Sequence, residues 1–240
     1  TVIIGLVAGG IAGAIPGILR AYLGTSEVIV TIMMNYIILY VANNIVRFGF
    51  TADMLRSSEA SNKVVASASY QTEYLSQITG GSRFNIGFFL ALAAVFLVWF
   101  MLKKTTTGFE ITSVGLNPHA SEYAGMSSKR VIIMSMIISG ALCGLGGTVE
   151  GLGTFFVQNA SLAIGWNGMA VALLATNSPI GIPFAALLYG VLSVGKSGMI
   201  GVPPEVIDVV SALIIFFVGA NYIIRYWVRP RQKSVKAKGG

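Results

Sequence analysis

Apolar residues occupy this chain in long blocks separated by short polar breaks, and block length organises everything else. Residues 1–19 are almost wholly apolar. Gly9, Gly13 and Gly17 recur every four residues there, which puts them on one helix face as a close-packing seam. Pro16 is expected to kink the end of this helix and residues 20–26 to break it. The second block, 27–46, is long enough to span a bilayer. Its polar residues Glu27, Thr31 and Asn35 fall at i, i+4 and i+8 and so form one stripe. Lipid cannot satisfy such a stripe. It faces either a water-filled path or a hydrogen-bonding seam with another helix, and spacing alone does not separate the two.

Residues 47–83 shift to Ser, Asn, Gln and mixed charge and predict the longest aqueous loop. Residues 84–102 form a third block, stopped by Lys103 and Lys104, with Trp99 placed for an interface. In the fourth block, 131–150, Ser135, Ser139, Cys143, Gly146 and Glu150 align on one face and are expected to pack closely. The stretch 162–176 is apolar but shorter than the roughly 20 residues a simple span needs. The break Asn177-Ser178-Pro179-Ile180-Gly181 follows it. A half-length helix at membrane depth persists only when buried in protein or lining a cavity, so this segment is a candidate part of a pathway. Residues 182–196 return, 198–204 turn, and 205–228 make a last span ending in Tyr226, Trp227 and basic anchors.

The polar connector 108–130, GFEITSVGLNPHASEYAGMSSKR, has a helix at its centre. Asn117 is a preferred N-cap, Pro118 suits the first helical position, and Gly125 can close the end in a left-handed conformation. About two turns of helix are unstable alone in water. Held between Lys103-Lys104 and Lys129-Arg130, this one suggests a loop shaped for a partner, although a solvated connector would carry the same charges and caps.

Composition turns these blocks into a membrane assignment: 55% of residues are hydrophobic and only 10% charged, with a mean hydropathy of +0.77. The net charge of +7 does not imply nucleic acid, because six of the 16 basic residues lie in the last sixteen positions, beside an apolar run. That is the pattern of a cytoplasmic anchor on anionic lipid. The 47–83 loop carries four basic and three acidic residues, against four and two in 103–130. The basic excess therefore places 103–130 and the tail inside the cell and 47–83 outside. A chain that starts at Thr1 in apolar sequence is expected to lack earlier helices.

Several chemistries lack material. His119 is the sole histidine and Cys143 the sole cysteine, which leaves no catalytic triad, disulfide framework or CxxC metal site. Gly190-Val-Leu-Ser-Val-Gly-Lys196-Ser197 fits GxxxxGK[ST], but it ends a hydrophobic helix where a P-loop needs a strand before it and a helix after it. Lys196 reads better as a snorkelling side chain. The sequon at Asn159 matters only in a secreted eukaryotic setting, and Glu150, Lys196 and Asp208 receive no functional role.

The run Gly24-Thr25-Ser26-Glu27-Val28-Ile29-Val30-Thr31-Ile32-Met33-Met34-Asn35-Tyr36 resembles the GTNEVI-TIMLNY signature of permease subunits of bacterial nucleoside (basic membrane protein type) ABC importers, in the branched-chain amino acid/ribose permease superfamily. The coupling loop of that family resembles Gly108-Phe109, Val114-Gly115, Asn117-Pro118, Ala120 and Glu122-Tyr123-Ala124-Gly125. A third likeness runs from Gly165 to Gly181, through Ala172-Leu173-Leu174, Asn177, Pro179 and Gly181. Two departures stand out: Thr112-Ser113 replaces a common Arg-Ala, and Ala175-Thr176 stands where a glycine usually follows the paired leucines.

The resemblance implies an all-α polytopic membrane protein of about seven spanning or half-spanning helices, with a broken helix at membrane depth and a short cytoplasmic coupling helix. Residues 1–228 would be the permease domain and 229–240 a basic cytoplasmic tail. No cofactor is expected on this chain, since ATP and Mg belong to a partner ATPase. Further partners are a second, often non-identical permease and an extracellular substrate-binding lipoprotein, in the bacterial cytoplasmic membrane. Substrate-path candidates are Glu27, Thr31, Asn35, Trp166, Asn167 and Asn177. The ATPase-coupling candidates are Asn117, Pro118, His119, Ala120, Ser121, Glu122, Tyr123, Ala124 and Gly125. The polar stripe would serve a sugar or branched-chain amino acid equally well. An ion-coupled carrier is the rival class, with a membrane scaffold as a third.

Overall fold

The computed structural model describes residues 1–48, 55–57, 60–61, 69–70, 77, 85–153 and 163–198, with isolated positions between 206 and 216. The chain divides into two compact units, 1–160 and 161–240. The first contains α1 (Val2–Leu23), α2 (Glu27–Phe48), a short antiparallel ribbon of β1 (Leu55–Ser57) and β2 (Ala60–Ser61), α3 (Gly87–Lys104), α4 (Thr106–Leu116), α5 (Pro118–Tyr123) and α6 (Ser128–Gly153). The second contains α7 (Ala163–Leu174) and α8 (Gly181–Gly198). Among the described residues α1, α2, α3 and α6 are long and apolar enough to cross a bilayer, and the protein is an all-α multi-pass membrane protein. Most of the expected 47–83 loop, the sequon, the turn at 199–204, nearly all of the last span and the basic tail lie outside the described residues.

The first unit is built on an antiparallel glycine seam between α1 and α6. Gly5 meets Gly144 and Thr148, Gly9 meets Gly140 and Gly144, Gly13 meets Met136 and Gly140, and Gly17 meets Ile133 and Met136. A Cβ added to Gly9 would stand 2.8 Å from the Cα of Gly144, and one added to Gly140 2.9 Å from the Cα of Gly13. The two backbones therefore touch. Lipid tails are as apolar as the helices, so helix association in a bilayer draws on such close dispersion contact rather than on a hydrophobic drive.

The α1 side of the seam is the stripe expected from spacing, but the α6 side is not. Ser135, Ser139, Cys143, Gly146 and Glu150 do not make it: Cys143 is exposed, and nothing lies within 4 Å of a Cβ placed on Gly146. The contact stripe is Met136, Gly140, Gly144 and Thr148. A serine still carries a Cβ, and only the stripe with two glycines lets the backbones meet. The break expected at 20–26 is shorter than that, and Pro16 lies within α1. It is buried, and the helix continues to Leu23, where Gly24 (φ 65°) closes it with an N–H donated to the Arg20 carbonyl at 3.1 Å.

Because α1 and α6 are antiparallel, the α1–α2 turn shares one end of the unit with the α4–α5 connector. The Lys129 Nζ stands 5.4 Å from the centre of the Tyr22 ring at this end. At the opposite end the Tyr70 N–H donates to the Leu152 carbonyl (3.2 Å), and the Tyr70 carbonyl accepts from Ile86 N–H (3.1 Å), tying the end of α6 to the start of α3.

Candidate functional site

The connector holds two helices where the sequence suggested one. Thr105 starts α4: its hydroxyl accepts from the Gly108 N–H at 3.2 Å and donates to the Met101 carbonyl at 2.6 Å. Gly108 then lies against the end of α3, so closely that a Cβ there would stand 2.5 Å from the Cα of Leu102. This backbone contact folds α4 back on α3. A threonine cap three residues before a glycine, after a lysine pair, was the available signal.

α5 follows directly. Asn117 has extended backbone (φ −156°), and its side-chain oxygen accepts from the Ala120 N–H at 3.1 Å, while Pro118 takes the first helical position. At the other end the Gly125 N–H donates to the Glu122 carbonyl (2.9 Å) and the Met126 N–H to the Ser121 carbonyl (3.0 Å), with Gly125 at φ 84°. Two hydroxyls close the hairpin from inside: Ser121 Oγ donates to the Asn117 carbonyl (3.0 Å), and Ser128 Oγ, from the first turn of α6, donates to the Pro118 carbonyl (3.1 Å). Both serines are 5% exposed.

The nine candidates of this segment therefore separate into two groups. Asn117, Pro118, Ser121 and Gly125 shape the element. His119, Ala120, Glu122, Tyr123 and Ala124 are presented outward, with Tyr123 95% exposed. Leu116, 84% exposed at the end of α4, joins them, and as an apolar residue before the cap it carries no signal of exposure in the sequence. A six-residue helix marginal by itself becomes a rigid platform for an exposed aromatic ring.

On α2, Glu27 forms an ion pair with Arg20 (Nε to Oε2, 3.0 Å), and Arg20 Nη1 also donates to the Thr25 carbonyl at 3.0 Å. Arg20 thus straps the α1–α2 turn, a role visible only once the two helices are placed. Thr31 Oγ1 turns back onto its own helix, within reach of the Glu27 (2.8 Å) and Val28 (3.1 Å) carbonyls. Asn35 is exposed. Eight residues separate it from Glu27, a rise of about 12 Å, so the stripe runs from one end of the unit toward mid-helix. No α2 residue whose side chain is described is buried: Glu27 is half-buried, and Thr31 and Asn35 are exposed.

In the second unit α7 rises only about 18 Å over its twelve residues, short of a span of about 30 Å. It ends in a turn at which Thr176 (φ 51°) and Asn177 (φ 56°) are both left-handed, although neither is glycine. The Asn177 N–H donates to the Ala172 carbonyl at 2.9 Å. Asn167 accepts at Oδ1 from the Tyr189 hydroxyl of α8 at 2.9 Å, and Trp166 is 57% exposed. Tyr189 and Thr176 were not among the sequence candidates. The GxxxxGK[ST] match is helical throughout, so its backbone N–H groups are turned into a helix and cannot cradle a phosphate as a P-loop does. Among the described residues no cluster of His, Cys, Asp and Glu could hold a metal ion.

The chain is 51% identical to the nucleoside ABC transporter permease protein NupB of Lactococcus lactis, over 98% of this chain and 66% of that protein. It is 46% identical to the guanosine ABC transporter permease protein NupP of Bacillus subtilis, over 95% of this chain and again 66% of the relative. A second Lactococcus lactis nucleoside permease, NupC, is 29% identical over 44% of this chain and 34% of its own length. The chain thus spans about two thirds of the length of the first two relatives it matches. No solved structure matches it. The family profile described as branched-chain amino acid transport system, permease component, matches residues 1–219, and the chain belongs to that family of membrane permeases.

Proposed function

We propose that this chain is a permease subunit of an ATP-binding cassette importer that carries nucleosides across the bacterial cytoplasmic membrane by alternating access. The observation that carries the reading is the likeness to NupB and NupP along nearly the whole chain. NupB and NupC occur together in one organism, and this chain is similar to both, which favours a non-identical second permease as partner.

The α4–α5 connector then faces the cytoplasm and docks on the partner ATPase. Its capped, hydroxyl-bonded hairpin gives Tyr123 and Leu116 a fixed position from which a push can be passed to α6, and through the glycine seam to α1. Glu27, Thr31 and Asn35 line one wall of the path, starting from its cytoplasmic mouth. Trp166, Asn167 and Asn177 contribute around the helix break. Amides and hydroxyls beside an aromatic ring suit a neutral ligand with ribose hydroxyls and a flat base. The chain itself makes and breaks no bonds, and ATP and Mg sit on the partner. A lipoprotein delivers substrate from outside.

Uptake of labelled guanosine and uridine by cells producing the complete importer tests this reading. Uptake is expected to vanish when either this chain or the ATPase is deleted. Uptake that survives loss of the ATPase would favour an ion-coupled carrier and overturn the proposal. Asn35→Leu is expected to lower uptake at normal expression, and unchanged uptake would remove α2 from the path.

A further inference from the structure

We infer that Tyr189 is a positioning residue for substrate recognition, holding the Asn167 carboxamide so that it reads hydrogen-bond acceptors on the substrate's base. The inference rests on the nucleoside reading above. Asn167 and Tyr189 lie on the inner seam of the α7–α8 hairpin. On α7, Asn167 shares its face with Ala170, Val171 and Leu174, and on α8, Tyr189 shares its face with Ile182 and Ala185. Ala170 and Ala185 are buried and the others half-buried, apart from Asn167, which is exposed.

The Tyr189 hydroxyl spends its proton on Oδ1 of Asn167. That bond fixes which way the amide points. An unpartnered Asn side chain can present either its carbonyl or its NH₂ to a ligand, because the two ends have nearly the same shape. With Oδ1 committed to Tyr189, the end left to project from the exposed side is Nδ2, with two donors and no acceptor. A site of that kind pairs with a carbonyl oxygen on the ring edge, and a ligand that lacks one leaves a donor unpaired. Trp166, one position earlier and about 100° around the helix, offers an exposed aromatic face on the same short element. Together they match a purine carrying a carbonyl on its ring edge.

A hydrogen bond that merely joined α7 to α8 would give the same distance, so the test must separate the two roles. The complete importer is produced in cells lacking other nucleoside carriers, and KM is measured for guanosine and for 2-aminopurine riboside, which lacks the ring carbonyl. The lipoprotein's own preference enters every ratio alike, so the readout is the change between chains. In Tyr189→Phe and in Asn167→Ala the preference for guanosine should fall about tenfold from that of the unaltered chain, the worth of one neutral hydrogen bond, mainly by a rise in KM for guanosine.

A ratio of two KM values does not depend on how much protein folds, so a drop in accumulation leaves the readout intact. If Tyr189→Phe fails to accumulate, Asn167→Ala carries the test. Reduced uptake of both ligands with an unchanged ratio in the variants identifies a purely structural bond and overturns the inference alone. If the unaltered importer transports neither nucleoside, the proposed function and this inference fall together.

Discussion

Two helix ends in this chain close with the same bond and are made of opposite materials. At the end of α5 the Met126 N–H reaches back to the Ser121 carbonyl, and at the end of α7 the Asn177 N–H reaches back to the Ala172 carbonyl, both across five residues. The left-handed backbone that each closure needs is supplied by Gly125 in the first case and by Thr176 and Asn177 in the second. Glycine takes that conformation without steric cost, asparagine tolerates it, and a β-branched threonine resists it.

The α5 end is therefore relaxed, while the α7 end is held under strain by neighbouring bonds, among them Thr176 N–H to the Leu173 carbonyl (2.9 Å) and Ser178 N–H to the Ala175 carbonyl (3.0 Å). The difference suits the two places. On the proposed function, an element that transmits a push gains from a single shape, whereas a turn beside the proposed path gains from a backbone already partway out of its minimum.

The comparison can be broken most forcefully at Gly125. Nothing lies within 4 Å of a Cβ built there, so Gly125→Ala adds no clash and isolates the backbone term. It should cost about 2 kcal/mol, read as a fall of several degrees in thermal unfolding of the detergent-solubilised protein. No change would mean that the glycine is incidental.

Asn117→Ala removes the cap at the other end of α5 and should cost about 1 kcal/mol, with substrate-stimulated ATP hydrolysis falling as the platform loosens. Thr176→Gly sharpens the other side, because it should have the opposite sign. Relief of left-handed strain exceeds the added flexibility of the unfolded chain by somewhat less than about 1 kcal/mol. A lower unfolding temperature in this variant would refute the assignment of strain.

Tyr123→Ala should leave the unfolding temperature within the equivalent of about 0.5 kcal/mol, since the ring is almost wholly exposed. It should nevertheless uncouple ATP hydrolysis from uptake. A large stability loss would show that the ring is a packing residue instead.

The parts of the fold legible in the sequence are those fixed by local chemistry. Asn117, Pro118 and Gly125 marked both ends of α5 because capping needs only a few adjacent residues and a defined backbone. The four long helices were legible from length and apolarity alone. α4 was not, because its eleven residues carry no strong apolar period. Its local mark is the Thr105 cap three residues before Gly108, and what holds it in place, Gly108 pressed on the end of α3, is a contact that apolar spacing does not show. The path candidates were legible as polar residues in apolar blocks, but their hydrogen-bond partners were not. Arg20 and Tyr189 reach Glu27 and Asn167 across a turn and across a hairpin.

The sequence by itself determined that the chain lies in a membrane, where the four described long helices begin and end to within three residues apart from the later end of α1, and that a short capped helix interrupts them. Each of these follows from burial length or from bonds between near neighbours. Only the tertiary structure decided which face of α6 meets α1. Spacing pointed to the stripe from Ser135 to Glu150, and the neighbouring stripe with glycines at 140 and 144 makes the contact instead, because close packing is settled by the atom each residue lacks opposite a particular partner. The same holds for the left-handed backbone at Thr176. A β-branched residue predicts the opposite, and the bonds of the surrounding turn overrule it.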